Sequence, residues 1–165
     1  VRAITLSALC PLANALLWDV GAGCGSISIE WIRSARGARA IAVEPDEQRG
    51  RMISENARRL GAPDIAIIAG RAPEALVGQP SPDAVFIGGA ISDDAVFDAA
   101  WLALRPGGRL VANAVTLEGE TALCRRHSTH GGELLRIDTA HVVPLGSKRA
   151  LRPRMAVLQW QARKP

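Results

Sequence analysis

The chain has 165 residues and a formal net charge of +4, with 48% hydrophobic and 22% charged residues. This composition favours a single globular domain with a sizeable core. No apolar run reaches the ~20 residues that a membrane-spanning helix needs, and the N-terminus lacks the pattern of a signal peptide. The basic residues are scattered, and the chain has no Tyr and only 2 Phe. A cationic stripe with interleaved aromatic residues is therefore absent, and we expect neither a nucleic-acid nor a membrane partner.

The three cysteines, Cys10, Cys24 and Cys124, are widely spaced along the chain. They form no CxxC pair and no His/Cys cluster with the spacing of zinc ligands. We expect them to be small, buried and reduced side chains. We therefore expect the protein to have no metal site and to be located in the cytoplasm.

Strands and helices alternate along most of the chain. An apolar spacing over residues 1–9 indicates the end of a helix. Strands are then predicted at 15–20, 38–45, 65–70, 83–89 and 109–115, with helices at 26–36, 46–60, 73–76, 93–104 and about 118–130.

The order of these elements predicts the fold. Repeated strand–helix units favour a parallel sheet wound on both faces. The chain ends with two β-rich runs, 134–143 and 154–161, which have no helix between them and predict an antiparallel pair. The prediction is therefore an α/β, Rossmann-like, doubly wound sheet of seven strands with an antiparallel last pair, forming one domain over 1–165.

The turn after the first strand carries the strongest motif, WDVGAGCGS. Glycine permits positive φ and close approach of a ligand, and the next helix adds a partly positive N-terminus. The spacing differs from the dinucleotide fingerprint G-x-G-x-x-G. It resembles the first motif of class I S-adenosylmethionine-dependent methyltransferases, as does the antiparallel ending. That resemblance implies that the loop cradles the methionine end of the cofactor and that Asp19 holds its amino group through water. The loop residues concerned are Gly21, Ala22, Gly23, Cys24 and Gly25.

Two further segments fit cofactor binding. Glu44 ends the second strand, about 20 residues after the loop, where an acid can accept hydrogen bonds from both ribose hydroxyls. The segment GRAPEAL (70–76) resembles the methyltransferase segment G-D-A-P-E-A-L, which borders adenine. We therefore expect Arg71 and Ala72 beside the adenine. Because Arg71 replaces the usual acid, only a backbone contact from Ala72 is implied there.

Several segments together narrow the resemblance to one family. They are VRAITLSAL, WDVGAGCGSISIEW, AVEPDEQR, GRAPEAL, DAVFIGG, LRPGGRLVANAVTLE and MAVLQW. They resemble the decarboxylating precorrin methyltransferases of cobalamin synthesis. The resemblance implies methyl transfer from S-adenosylmethionine to a meso carbon, carbon 15, of a precorrin, with decarboxylation of the ring C acetate. It also implies a homo-oligomer and, in bifunctional members, fusion to an N-terminal tetrapyrrole methylase domain. Whether the macrocycle carries cobalt stays open.

An electron-rich acceptor carbon needs positioning more than a strong base, so we expect no catalytic triad. The substrate is an anionic, tetrapyrrole-derived small molecule whose carboxylates need cationic partners. We predict these in a basic loop at 146–154, with Lys148, Arg149 and Arg152 as substrate-binding residues. Asn113 and Glu118, at the end of the fifth strand, are the catalytic candidates.

Two alternatives stay open. One is a class I methyltransferase that acts on another small molecule or on RNA, although the chain has FIGG where base-amino methylases carry an NPPY-type tetrapeptide. The other is a non-catalytic cofactor-binding partner domain. The glycine loop and Glu44 argue against this second alternative.

Overall fold

The computed structural model describes all 165 residues. The chain forms nine strands and five α-helices. The elements are α1 (Arg2–Leu9), β1 (Leu16–Val20), α2 (Ser26–Ser34), β2 (Arg39–Glu44), α3 (Glu47–Leu60), β3 (Ala66–Ala69), β4 (Ala84–Ile87), α4 (Asp94–Ala103), β5 (Arg109–Ala114), α5 (Leu117–His130), β6 (Glu133–Ile137), β7 (Ala140–Leu145), β8 (Lys148–Pro153) and β9 (Val157–Arg163). A 3₁₀ turn covers Glu74–Leu76. None of the helices is long and apolar enough to cross a membrane.

Seven strands form the main sheet in the order β3-β2-β1-β4-β5-β9-β6. β1 to β5 are parallel, whereas β9 runs antiparallel to both of its neighbours, β5 and β6. The predicted seven-stranded sheet with an antiparallel last pair is confirmed. We call the edge of the sheet formed by the carboxyl ends of the parallel strands the carboxyl edge. The strand order reverses between β1 and β4, so a crevice opens between these two strands at the carboxyl edge.

Helices cover the sheet on both faces because side chains alternate along each strand. In β1, Trp18 belongs to the core shared with α4 and α5, while Leu17 belongs to the core shared with α1 and α2. A smaller core joins α2 to α3 through Ile29 and Ile53. Buried β1 is apolar on both faces, as expected for a central parallel strand. Its one charged residue, Asp19, points to the α2 face and is 1% exposed.

The end of the chain differs from the prediction. The run 134–143 is two strands, β6 and β7, because the chain leaves the sheet at Asp138 and Thr139. The predicted basic loop at 146–154 is wrong: most of it is β8, which pairs antiparallel with β7 in a separate two-stranded sheet. We call β7 and β8 the hairpin. Both strands are largely exposed, and β8 carries Lys148, Arg149 and Arg152, so cross-strand pairing rather than burial defines them.

The cysteines also differ from expectation. Cys24 and Cys124 are exposed and Cys10 is half-buried, so the expectation of three buried thiols is wrong. Cys24 lies in the turn before α2, and Cys124 lies on the outer side of α5. All three are free thiols.

Candidate active site

A cleft of about 460 Å³ opens at the carboxyl edge, within the range of small-molecule sites. We call it the first cleft. Its walls come from the turns that follow β1, β2, β3 and β4. They include Gly21, Glu44, Arg49, Arg71, Ala72, Gly88, Gly89 and Asp93. Four of these, Gly21, Glu44, Arg71 and Ala72, are among the residues predicted for cofactor binding.

Asp19 lies buried at the end of β1, behind the glycine loop. Its Oδ2 accepts hydrogen bonds from the Ser28 amide at 3.1 Å and the Ser28 hydroxyl at 2.7 Å. Its Oδ1 is buried without a hydrogen-bond partner. The pKa of Asp19 is raised to about 6, mainly by burial and to a smaller extent by nearby Glu44, against the two Ser28 bonds that lower it. A buried carboxylate oxygen without a partner is costly, so this oxygen is suited to a cationic or donor ligand.

Glu44 ties the glycine loop to the end of β2. It is 4% exposed, although it lines the first cleft. Its Oε2 accepts a hydrogen bond from the Gly23 amide at 2.8 Å, and its Oε1 accepts one from the Asp46 amide at 3.1 Å. A carboxylate has about four acceptor positions. Glu44 can therefore hold the loop and still accept two hydroxyl donors from a ligand.

The loop residues do not all face the first cleft. Gly21 lines it with φ +74°, where a side chain would be strained. Gly25 serves packing, because a Cβ there would lie 2.8 Å from the Ile53 side chain. The Cys24 side chain is exposed, and its carbonyl accepts a hydrogen bond from Asn56 Nδ2 at 3.1 Å. Ala22 lines a second cleft instead.

Arg71 and Ala72 line the first cleft, as do two residues that the sequence did not single out, Arg49 and Asp93. Arg49 lies in the first turn of α3, and Asp93 is the N-cap of α4, where its Oδ1 accepts a hydrogen bond from the Ala95 amide at 2.9 Å. Asp93 has a sequence signal, since an acid before an apolar helix is a typical N-cap. Arg49 has none beyond its place after Glu44.

The second cleft, of about 260 Å³, lies on the α1 side of the sheet and shares Gly88 with the first. The residues that line it include Arg2, Thr5, Ala22, Phe86, Gly88, Asn113, Val115 and Val157. At the shared point, a Cβ on Gly88 would lie 3.1 Å from the Gly21 carbonyl. The loops after β1 and β4 therefore meet between the two clefts.

The two predicted catalytic residues lie on opposite faces of the sheet. Asn113 contacts α1 through a hydrogen bond from its Nδ2 to Thr5 Oγ1 at 3.1 Å. Glu118 lies exposed in the first turn of α5, which packs on the other face through Leu123. They do not form one site by direct contact.

The predicted substrate cations lie in the hairpin, but not side by side. Arg149 pairs with Pro144, and Arg152 pairs with His141. Residues an odd number of positions apart in a strand point to opposite faces. Arg152 therefore shares a face with Lys148, and Arg149 points the other way. Arg149 and Arg152 therefore do not lie side by side on one face of the hairpin.

The sheet order, the antiparallel last pair and the glycine loop with its two acids define a class I methyltransferase fold. The chain belongs to the precorrin methyltransferase domain family, whose model matches residues 1–164. This agrees with the family resemblance of the sequence motifs.

Named relatives support the assignment. A precorrin-6Y C(5,15)-methyltransferase [decarboxylating] from Sinorhizobium is 49% identical over 160 residues, which are 97% of this chain and 39% of that protein. The Salmonella typhimurium cobalt-precorrin-6B C(15)-methyltransferase (decarboxylating) is 35% identical, covering 93% of this chain and 81% of that protein. The crystal structure of the C-terminal domain of precorrin-6Y C5,15-methyltransferase from Rhodobacter capsulatus matches with a TM-score of 0.92 and 47% identity, covering 99% of this chain and 88% of that chain. The chain thus spans about two fifths of the first curated relatives, 39% and 42%.

Proposed function

We propose that this domain transfers a methyl group from S-adenosylmethionine to carbon 15 of a precorrin and decarboxylates the ring C acetate, whose carboxyl group leaves as CO₂ while its methylene carbon takes up a proton and stays on the ring as a methyl group. The observation that carries the proposal is a pair of buried carboxylates, Asp19 and Glu44, at the glycine loop of a chain from the precorrin methyltransferase domain family. The names of its relatives support the same acceptor.

The two buried carboxylates and the residues of the first cleft fit the groups of S-adenosylmethionine. The unpartnered Oδ1 of Asp19 suits the cationic amino group of the methionine moiety, directly or through water. Glu44 suits the two ribose hydroxyls, and Arg71 and Ala72 border the space for adenine. Gly21, Ala22, Gly23, Cys24 and Gly25 form the loop around the methionine end. Bound S-adenosylmethionine supplies an electrophilic methyl group.

The chain's own contribution is to bring the acceptor to that methyl group. An enamine-like ring carbon is already nucleophilic, so positioning and exclusion of water provide most of the rate increase. Asn113 and Glu118 remain the candidates for contact with the acceptor. Asn113 has the stronger geometric support because it lines the second cleft.

The hairpin carries the proposed anchors for the carboxylates of the macrocycle. Lys148 and Arg152 act from one face and Arg149 from the other. Arginine suits this role because its planar guanidinium binds a carboxylate through two hydrogen bonds. Since the faces differ, the cations hold separate carboxylates rather than clamping one.

We further propose that the protein acts in the cytoplasm as a homo-oligomer, fused to an N-terminal tetrapyrrole methylase domain. Three free cysteines suit a reducing compartment. The greater length of the precorrin-6Y C(5,15)-methyltransferase relatives, of which this chain spans 39% and 42%, supports fusion. The hairpin exposes Val142 and Leu151, which are 61% and 69% exposed, and these suit contact with a second copy.

The test is turnover of a precorrin-6Y-type substrate, with the product followed by mass spectrometry. We expect gain of one methyl group and loss of one CO₂ only when S-adenosylmethionine is present. Calorimetry should detect binding of S-adenosylmethionine and none of NADH. S-adenosylmethionine binding without turnover would instead support a non-catalytic domain, and methylation of RNA or another small molecule would replace the proposed acceptor.

A further inference from the structure

Three polar side chains form a closed network beneath the second cleft. Gln159 Nε2 donates one hydrogen bond to Thr5 Oγ1 and one to Asn113 Oδ1, both at 2.8 Å. Asn113 Nδ2 donates to the same Thr5 oxygen at 3.1 Å. The network joins α1, β5 and β9, and Gln159 lies directly across the strand pair from Asn113.

The network fixes the Asn113 amide in one orientation. Both hydrogens of Gln159 Nε2 are used, and the carbonyl oxygen of Asn113 is taken. Asn113 Nδ2 has two hydrogens, of which one is bonded to Thr5. The other N–H is available to the second cleft, which Asn113 lines.

The surroundings suit the edge of a flat, anionic ring. Phe86, Val115 and Val157 provide apolar wall, and Arg2 provides a cation at 64% side-chain exposure, paired with Glu30 at 3.2 Å. The cleft is much smaller than a whole macrocycle, so it can take only one edge with a side chain. It shares the lining residue Gly88 with the first cleft, so an acceptor edge held in the second cleft would lie next to a cofactor held in the first.

We infer that Thr5 and Gln159 are positioning residues for methyl transfer: they orient Asn113, whose free N–H donates to a carboxylate on the edge of the macrocycle in the second cleft. This inference rests on the proposed function and adds the place and the hydrogen-bond donor for the acceptor. Burying Thr5 and Gln159, which are 0% and 2% exposed, costs free energy unless they are bonded. Their orienting role gives these buried polar groups a use beyond packing.

The test uses Gln159→Met, Thr5→Val and Asn113→Ala, measured with the same precorrin substrate. Each change should lower kcat/KM for the precorrin by about tenfold or more, the effect of losing one charged or well-placed hydrogen bond. The dissociation constant for S-adenosylmethionine should not change. Thr5→Ser, which keeps the hydroxyl, should restore activity.

The coupling between the Asn113 and Gln159 substitutions distinguishes a positioning role of Gln159 from a merely structural one. If Gln159 acts through Asn113, the double variant Asn113→Ala/Gln159→Met should lose no more kcat/KM than Asn113→Ala alone. The matched control is Gln161→Met, on the same strand and face but bonded to Glu133 at the surface. It should retain wild-type kinetics.

Two outcomes overturn the inference separately from the proposed function. Wild-type kinetics in Gln159→Met, or additive losses in the double variant, would reject the positioning role while leaving the function intact. A wild-type protein that binds S-adenosylmethionine but converts no precorrin would reject the proposed function and the inference with it. Melting temperatures identify any variant that has simply unfolded.

Discussion

Asp19 faces opposite requirements with and without a ligand. Burial raises its pKa to about 6, which favours the neutral acid, whereas a cationic amino group favours the carboxylate. We therefore predict that affinity for S-adenosylmethionine falls as the pH drops below about 6, by up to tenfold per pH unit. Calorimetry from pH 5 to 8 measures this, and Asp19→Asn should remove the dependence in this range. A flat affinity profile in the wild-type protein would contradict the assignment.

The raised pKa of Asp19 also determines how its contribution to the free energy of unfolding changes with pH. The pKa of Asp19 is about 6 in the folded chain against an ordinary value of 3.8 for the exposed side chain, so between these values the folded state holds more protons than the unfolded state. The contribution of Asp19 to the free energy of unfolding therefore falls as the pH rises through this window. Above it the cost of the buried charge is fully present, so Asp19→Asn should be more stable than wild type at pH 7 and lose that advantage near pH 4.

The sequence predicts which residues belong to the site, but it does not predict their hydrogen-bond partners. Asp19 and Glu44 could be located because each has a fixed spacing from the glycine loop. Ser28, which holds Asp19, has no such signal. The bond between Thr5 and Gln159 joins residues 154 positions apart, and only the folded sheet brings them together. Asn113 was found from its strand end, while its orientation could not be predicted.

Among the elements, the buried strands were easier to predict than the hairpin. β1, β2, β4 and β5 are short apolar runs between turn signals, and their predicted places are confirmed within about two residues. β8 carries Lys148, Arg149 and Arg152, and its strand character depends on pairing with β7. Charged, exposed strands have little periodic signal.

The geometry of the hairpin predicts that its two arginines bind the substrate independently. Because Arg149 and Arg152 point to opposite faces, we predict that Arg149→Ala and Arg152→Ala each raise KM for the precorrin, by about tenfold or less at an exposed site. Their effects should add in the double variant. Steady-state kinetics, with S-adenosylmethionine binding unchanged, measure this.

Arg59→Ala supplies the control for the hairpin variants. Arg59 is exposed in the last turn of α3, which returns to the amino ends of the strands, away from the clefts. Its removal changes the net charge equally and should leave KM unaltered. If both hairpin variants match Arg59→Ala, the macrocycle is held elsewhere. If their effects are not additive, the two arginines act on one group despite their opposite faces.

For the whole molecule, the sheet and its helices account for almost all of the buried core, and the hairpin extends beyond them. An isolated two-stranded hairpin is marginally stable in water. On the face that carries Arg149, the hairpin residues Ala140, Val142, Pro144, Leu151 and Pro153 are all exposed. An apolar face of this kind is typical of an interface.

We therefore predict that the protein self-associates through the part of this hairpin face formed by Val142 and Leu151, which leaves Arg149, in the next pair on that face towards the turn, accessible to the macrocycle. The double variant Val142→Thr/Leu151→Thr keeps β-propensity and removes apolar area, so it should shift the molar mass towards the monomer in light scattering over a range of concentrations. Leu102→Gln is the matched control, because Leu102 is 81% exposed but lies on α4. It should keep the wild-type mass. A monomeric wild-type protein at every concentration would reject self-association, whereas an unchanged oligomer in the double variant would assign the contact to another surface.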